Sequence, residues 1–359
     1  MEDRTDFFDY VPQGYTYDDL LLVPSYSEIL SRRDPVLNSE IVKGLSFNVP
    51  IISANMASIT EDLMATSMVN FGASAAIHRF LYPKRLKEIF DNMEYKVIKK
   101  IGISLGVKKE EAYLFLKEIE NYIEHIGYFV IDISHADHIL VKNFIKEIKS
   151  KIDKPIIAGN ICTQDAAFRL IEWGADSLKI GIGPGRNCTT RKVAGVGYPQ
   201  LSAIKWIYQG IKDRSIDNVK LIADGGIRTS GDIVKSLAAG ADFVMLGGML
   251  AGTKETPGNP LTLANNSMVK VYEGSASLNA QIKFREKPSS EIVSEGVSNL
   301  VEYKGSVDKF LPKIIQGVKN GLSYCGCSNI KEIQNYGEDP LSWVRITYAG
   351  SMESEAHGT

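Results

Sequence analysis

The stretch "VKLIADGGIRTSGDIVKSLAAGADFVMLGGM" (Val219–Met249) holds two apolar runs with an amphipathic segment between them. The first run ends in Asp224-Gly225-Gly226 and the second in Gly247-Gly248, while the middle segment opens on a capping-type Ser230 and closes on Gly240. The runs lack period-two polarity, so they read as strands buried on both faces, as in a parallel sheet. The middle segment reads as the crossover helix. Working outward, the same alternation appears at "NVPIISANM" (48–56), "ASAAIHR" (73–79), "KIGISLGV" (100–107), "YFVIDISH" (128–135), "KPIIAGNI" (154–161) and "SLKIGIG" (177–183). With the runs at 219–226 and 243–249 these make eight strands, joined by helical patterns such as "TQDAAFRLIEWGA". Eight strand–helix units predict an α/β fold of the closed (β/α)₈ barrel type. An internal echo supports it: "FGASAAIHRF", "WGADSLKIGIG" and "AGADFVMLGGM" each place a helix-ending Gly-Ala before a strand. A doubly wound sheet would favour an early GxGxxG turn, which the chain lacks.

In such barrels the site gathers at the C-terminal ends of the strands. There the sequence places Asn55-Met56, His78-Arg79, Asp132, Gly159-Asn160, the loop around Cys188, Asp224-Gly225-Gly226 and Gly247-Gly248. After the eighth strand comes a polar stretch, 252–306, which reads as an irregular, lid-like loop before "VDKFLPKIIQGVKNGLSYCG" resumes an amphipathic helix.

The 359 residues are 44% hydrophobic and 23% charged, enough to bury a large core, and the formal net charge of -2 gives no field favouring nucleic acid or an anionic membrane. A small-molecule partner is the expectation. The acidic N-terminus lacks a basic region followed by an apolar run, and no stretch approaches the ~18 apolar residues of a spanning helix, so the expected location is cytoplasmic, off the membrane. Four scattered cysteines, Cys162, Cys188, Cys325 and Cys327, read as reduced thiols. The one-residue spacing in "SYCGC" does not match a zinc knuckle, and the histidines form no HExxH pair, although His135 and His138 could share a helical face or mark a helix start.

"GIGPGRNCTTRKVAGVGYPQ" (Gly181–Gln200) carries the chemistry. Glycines in "GIGPG", "DGG" and "LGG" offer backbone amides at three strand ends, suited to a phosphate, and Arg186 adds a cation. Cys188 stands among Arg186, Arg191 and Lys192, positive charge that favours the nucleophilic thiolate. Thr189 or Thr190 could relay a proton if a carboxylate stood behind it, and Glu295 is a candidate.

Together with "IISANM", "IHRF", "IAGNICT", "GTKETPG", "EGSAS" and "SEGVSNLVEYKGSV", these motifs resemble the IMP dehydrogenase/GMP reductase family over nearly the whole chain. The resemblance implies one barrel domain spanning 1–359, usually tetrameric, that binds a purine nucleotide and a nicotinamide dinucleotide, with Cys188 attacking C2 of the purine. It implies Asp224 on the ribose, Gly225, Gly226, Gly247 and Gly248 at the phosphate, where Arg186 stands in place of the serine of many members, Gly274 and Ser275 near the base, and Met56, Arg79, Asp132 and Asn160 on the nicotinamide side. The carbonyls of Gly183, Gly185 and Cys188 match those that bind a monovalent cation such as K⁺. The flap, about 276–297, has one arginine, Arg285, and no tyrosine from Leu278 to Ser294, so it lacks the Arg-Tyr pair with which dehydrogenases activate water. Nor does the chain carry the regulatory (CBS) insertion common in dehydrogenases. Glu295 with Thr190 fits the reductase branch, implying NADPH-dependent conversion of GMP to IMP and ammonia. "KVAGVG", "ITYAGSMESEAHG", Ile292 and Arg186 depart from the reductase pattern; an IMP dehydrogenase without regulatory domains and a nucleotide-binding protein without turnover are the alternatives.

Overall fold

The eight apolar runs fold as eight parallel strands that close on themselves. The computed structural model describes residues 10–285 and 293–353. Its barrel strands are β1 (Ile51–Ser53), β2 (Ser74–Ile77), β3 (Ile101–Leu105), β4 (Tyr128–Asp132), β5 (Ile156–Ile161), β6 (Ser177–Ile180), β7 (Lys220–Asp224) and β8 (Phe243–Leu246). Closure comes from β8 pairing in parallel with β1, Val244 opposite Ile51 and Leu246 opposite Ser53. This is the (β/α)₈ barrel that the sequence predicts. Most of the expected runs continue past the C-terminal end of their strand, because the polar and glycine-rich residues there leave the hydrogen-bonded ladder and form the loops of the site.

The crossover helices follow from local signals. Thr163 caps Gln164–Trp173 by accepting the Ala166 N–H, and Gly174 ends it in the left-handed region at φ 108°. For Ser230–Ala238 the cap is Thr229, one residue earlier than expected: its hydroxyl accepts the Asp232 N–H while the Asp232 carboxylate accepts the Thr229 N–H. Ser230 is the first helical residue. His138 marks a helix start, its Nδ1 accepting the Leu140 N–H at 3.1 Å ahead of Ile139–Lys151.

Inside the barrel Tyr128 is fully buried, and its hydroxyl lies 2.8 Å from Ser74 Oγ. Its ring passes over Gly102 so closely that a Cβ there would fall 2.1 Å from Tyr128 Cε2. Only glycine fits opposite this tyrosine. The N-terminal end of the barrel is closed by a hairpin, Ser39–Val42 with Leu45–Phe47. Phe47 meets Phe243 edge-on at 5.8 Å, and Ser177 Oγ donates to the carbonyl of Ile41. With that end sealed, the open end is the one bearing the conspicuous residues.

Residues 252–306 are more regular than an irregular lid. Met268–Glu273 pairs antiparallel with Ser298–Glu302 and with Leu261–Thr262, and Leu278–Arg285 is a helix. The alternation is present in "SMVKVYEG" and "SNLVEYKG", but the polar residues around it hide it in a window-wide reading. Lys270, 1% exposed, ties this sheet to the barrel by donating to the carbonyls of Thr253 and Thr256. Part of the flap expected at 276–297, residues 286–292, lies outside the described residues. The amphipathic helix expected next spans Val307–Tyr324, capped by Ser306. Between β2 and β3 the chain passes through Pro83–Asp91 and Tyr95–Ile98. No helix among the described residues is long and apolar enough to cross a membrane.

Candidate active site

A cavity of about 660 Å³ opens at the C-terminal ends of the strands, within the size range of small-molecule sites. Cys188, Thr190 and Glu295 line it together, although 105 residues separate the last two in sequence. The Cys188 thiol donates to Thr190 Oγ1 at 3.2 Å, and the Thr190 hydroxyl donates to Glu295 Oε2 at 2.8 Å. That is a continuous proton path from thiol to carboxylate.

Two strand-like segments hold the path in place. Thr189 N–H donates to the Glu295 carbonyl at 2.9 Å, and Cys188 forms an antiparallel bridge with Gly296. Behind the cysteine, Gly183 at φ 88° makes room for the Arg191 stem: a Cβ there would come within 2.6 Å of Arg191 Cγ. Arg191 in turn donates to the Tyr198 carbonyl. The sequence reading puts Arg191 beside the thiol as a thiolate-favouring cation; its guanidinium instead fastens the end of the loop.

Asp224, Gly225, Gly226, Gly247, Gly248 and Arg186 meet on one wall, as their strand-end positions predict. Arg186 crosses Gly248, with Cδ 3.5 Å from where a Cβ would stand. Lys304, unnoticed in the sequence, joins this wall and donates to the Met249 carbonyl at 2.9 Å. Burial and the Arg186 charge lower its pKa against the opposing pull of Glu302. Tyr272 also lines the wall, and burial pushes its hydroxyl up to about 12. Gly274 and Ser275 complete the side nearest Glu295, and Gly183 and Gly185 lie in the cysteine loop, where the Gly185 carbonyl already accepts the Cys188 N–H at 3.0 Å.

Met56, Asp132 and Asn160 also line the cavity, Met56 beside Gly247 and Tyr272. Arg79 does not reach the lining; its Nε pairs with Asp132 Oδ2 at 3.4 Å from behind. The polar atoms of Asn160 are committed within the protein, its Nδ2 to Asp224 Oδ2 at 2.9 Å and to the Gly181 carbonyl at 2.7 Å, and its Oδ1 to Lys179.

Lys179 is the residue that the sequence reading passes over. It points inward from β6, 3% exposed, and its ammonium lies 2.8 Å from Asp224 Oδ2 and 3.6 Å from Asp132 Oδ1. Burial opposes its charge, but the two carboxylates outweigh that and raise its pKa. Asp132, also desolvated, is nonetheless held below the usual carboxylate range by Lys179 and Arg79. The signal was available: a lone lysine in the middle of "SLKIGIG", a strand otherwise buried on both faces. Lys179→Met strands two carboxylates without their shared cation and should cost about 3 kcal/mol at pH 7. Without Lys179 the Asp132 pKa climbs above its unfolded value, so the repulsion is relieved as pH falls toward 4 and the stability gap to wild type narrows. Urea melts at pH 7 and pH 4.5 check this; a gap independent of pH overturns it.

The other thiols do not line the cavity. All four cysteines are free, and burial pushes Cys325 and Cys327 up to about 11 and 12. Among the described residues no group of three or more His, Cys, Asp or Glu could hold a metal ion. Cys327 Sγ already donates to the Cys325 carbonyl at 3.4 Å, a bond that a serine can keep. Cys325→Ser buries a hydroxyl without that partner and should cost roughly 1–3 kcal/mol. Cys327→Ser and the half-buried Cys162→Ser should cost less. All three should retain most activity per folded molecule, checked by urea melts beside specific activity.

A barrel whose mouth holds a cysteine–threonine–glutamate chain beside glycines and two cations has the make-up of a small-molecule enzyme site. Comparison with known proteins makes this specific. Residues 14–357 match the model of the IMP dehydrogenase / GMP reductase domain, and the chain belongs to that family of nicotinamide-dependent purine-nucleotide oxidoreductases. It is 34% identical to inosine-5'-monophosphate dehydrogenase of Cryptosporidium parvum over 399 residues, covering 97% of this chain and 96% of that one. The dehydrogenase of Methanocaldococcus jannaschii is 43% identical over 244 residues, 63% of this chain and 48% of that one. Among solved structures, a cysteine-to-alanine variant of GMP reductase from Trypanosoma brucei, in complex with guanosine 5'-monophosphate, matches with a TM-score of 0.86 at 27% identity, over 98% of this chain and 99% of that one.

Proposed function

We propose that the chain is a GMP reductase: GMP, NADPH and two protons give IMP, ammonium and NADP⁺. The observation that carries this reading is the hydrogen-bonded path from Cys188 through Thr190 to Glu295. Among the described residues four carboxylates line the cavity: Asp18, Asp132, Asp224 and Glu295. Asp132 and Asp224 are tied to Lys179 and Asp18 pairs with Arg228, which leaves Glu295 as the acid–base group within reach of the thiol. An amino group departs from C2 as ammonia only if it is protonated as its bond breaks, and this path ends where that proton is needed.

Cys188 attacks C2 of the purine, Thr190 and Glu295 deliver the proton, and ammonia leaves a thioimidate on Cys188. The nicotinamide, when bound, supplies the hydride that C2 then accepts. Cys188 leaves as IMP forms, taking no atom of the nucleotide with it. Arg186, Gly225, Gly226, Gly247 and Gly248 hold the phosphate, Asp224 the ribose, and Gly274 and Ser275 the base; Asp224 Oδ1 takes no bond from Lys179 or Asn160. The wall of Met56, Asp132, Ile133 and Ser134 mixes apolar and polar groups, which fits an uncharged aromatic amide, and this is where the nicotinamide is placed. Arg79 serves there by orienting Asp132, and Asn160 by orienting Asp224. The carbonyls of Gly183, Gly185 and Cys188 are the proposed ligands of a monovalent cation such as K⁺. The enzyme is read as one catalytic unit, spanning 1–359 without a regulatory insertion, active as a homotetramer in the cytoplasm.

The absence of a tyrosine from Leu278 to Ser294, and of an Arg-Tyr pair with it, supports the reductase over the dehydrogenase branch. The names of the curated relatives favour the second reading, oxidation of IMP to XMP with NAD. One preparation decides: NADPH absorbance followed with GMP, and NAD reduction followed with IMP. NADPH loss with GMP and no steady NADH from IMP is expected; the reverse pattern establishes the dehydrogenase.

A further inference from the structure

Asn187, the residue before the nucleophile, takes no part in the chemistry above, yet it carries more of the loop's attachments than any role in binding would need. It is 3% exposed. Its Nδ2 donates to the Tyr272 carbonyl at 2.9 Å, its Oδ1 accepts from Asn299 Nδ2 at 2.9 Å, and its own carbonyl accepts the Val297 N–H at 3.0 Å. Tyr272 and Asn299 sit directly opposite each other on the two paired strands of the flap-side sheet. One buried amide therefore joins the cysteine loop to both strands at once.

The consequence concerns register. Residues 187–189 run antiparallel to 295–297 through the Val297–Asn187 and Thr189–Glu295 bonds and the Cys188–Gly296 bridge. Backbone bonds alone do not choose between neighbouring registers in so short a ladder, and a slip of one residue displaces the partner by about 3.4 Å and turns its side chain to the other face. Either change breaks the 2.8 Å bond between Thr190 and Glu295. A side-chain amide with directional partners on both strands admits one register only.

We propose that Asn187 and Asn299 are positioning residues, an amide clasp that sets the register of the Cys188 loop against the segment bearing Glu295 and so holds the thiol, the hydroxyl and the carboxylate in line. The inference rests on the relay proposed above, and its test has one readout that does not. Asn299 is exposed, so its substitution should leave the fold intact. Asn299→Ala removes the donor and leaves Asn187 Oδ1 buried and unpaired. Misplacing reacting groups by about 1 Å costs on the order of 10²-fold, so kcat for GMP reduction should fall roughly 10- to 100-fold while KM for GMP stays within about threefold. Alkylation of Cys188 by iodoacetamide, read by mass spectrometry, should quicken by roughly threefold or more as the loop loosens. The conservative variant Asn299→Gln keeps an amide donor for Asn187 Oδ1 and should recover part of the loss.

A fall in kcat with faster alkylation in Asn299→Ala, and partial recovery in Asn299→Gln, supports the clasp. Unchanged kcat and unchanged alkylation in Asn299→Ala overturn it. If the wild type fails to consume NADPH with GMP, the functional reading falls while the alkylation readout still decides the clasp.

Discussion

Replacing Cys188 with alanine is expected to remove turnover by a factor on the order of 10⁴ or more while GMP binding stays within about tenfold. The size of the loss follows from the position of the thiol at the head of the path through Thr190 to Glu295. Without it no covalent bond to C2 forms, and water or the Thr190 hydroxyl offers no comparable nucleophile at neutral pH. Binding is spared because the nucleotide is assigned to other groups: Arg186 and the glycines at the ends of β7 and β8 for phosphate, Asp224 for ribose. Equilibrium dialysis with GMP beside an NADPH assay measures both. Measurable reduction by Cys188→Ala means that hydride reaches the purine without a thioimidate, and weakened binding beyond about tenfold means that the cysteine holds the nucleotide as well.

Much of this architecture is legible before any coordinates, and for identifiable reasons. A strand buried on both faces needs an unbroken apolar run, so all eight barrel strands announce themselves, and the polar and glycine residues that interrupt such a run, in its last rungs or just past them, stand out. Asp224, Asn160 and the glycines near them are visible on that ground. Lys179 is not, because it lies within a strand rather than at its end, and its burial depends on Asp132 and Asp224 reaching it from two other strands. The sheet at Met268–Glu273 and Ser298–Glu302 is missed for a different reason: its strands carry Lys270, Glu273, Asn299 and Glu302, polar residues that mimic a loop. Arg191 shows the limit of proximity in sequence. Three cations stand beside Cys188 in the chain, but one of them, Arg191, is spent on the Tyr198 carbonyl. What places Glu295 behind Thr190 is a pairing between segments 105 residues apart, which no local pattern encodes.

The role of Glu295 yields the second large effect. Glu295→Gln keeps the length of the side chain and can still accept from the Thr190 hydroxyl, but it removes the titratable proton at the end of the path. Under the reductase reading that proton is needed when ammonia departs, so GMP reduction should fall by roughly 10²–10⁴, the usual range for losing a general acid or base. Hydride transfer between nicotinamide and the thioimidate carbon moves little proton density, and it should suffer less. Mixing the variant with IMP and NADP⁺ isolates that step in reverse, and a burst of NADPH close to wild type in rate is expected. The thiol remains in place with a hydroxyl to donate to, so a burst is possible even when deamination has stopped. If both half-reactions fall equally, Glu295 acts on the thiol itself, holding it ready for attack, and the ammonia-releasing role assigned to it is wrong.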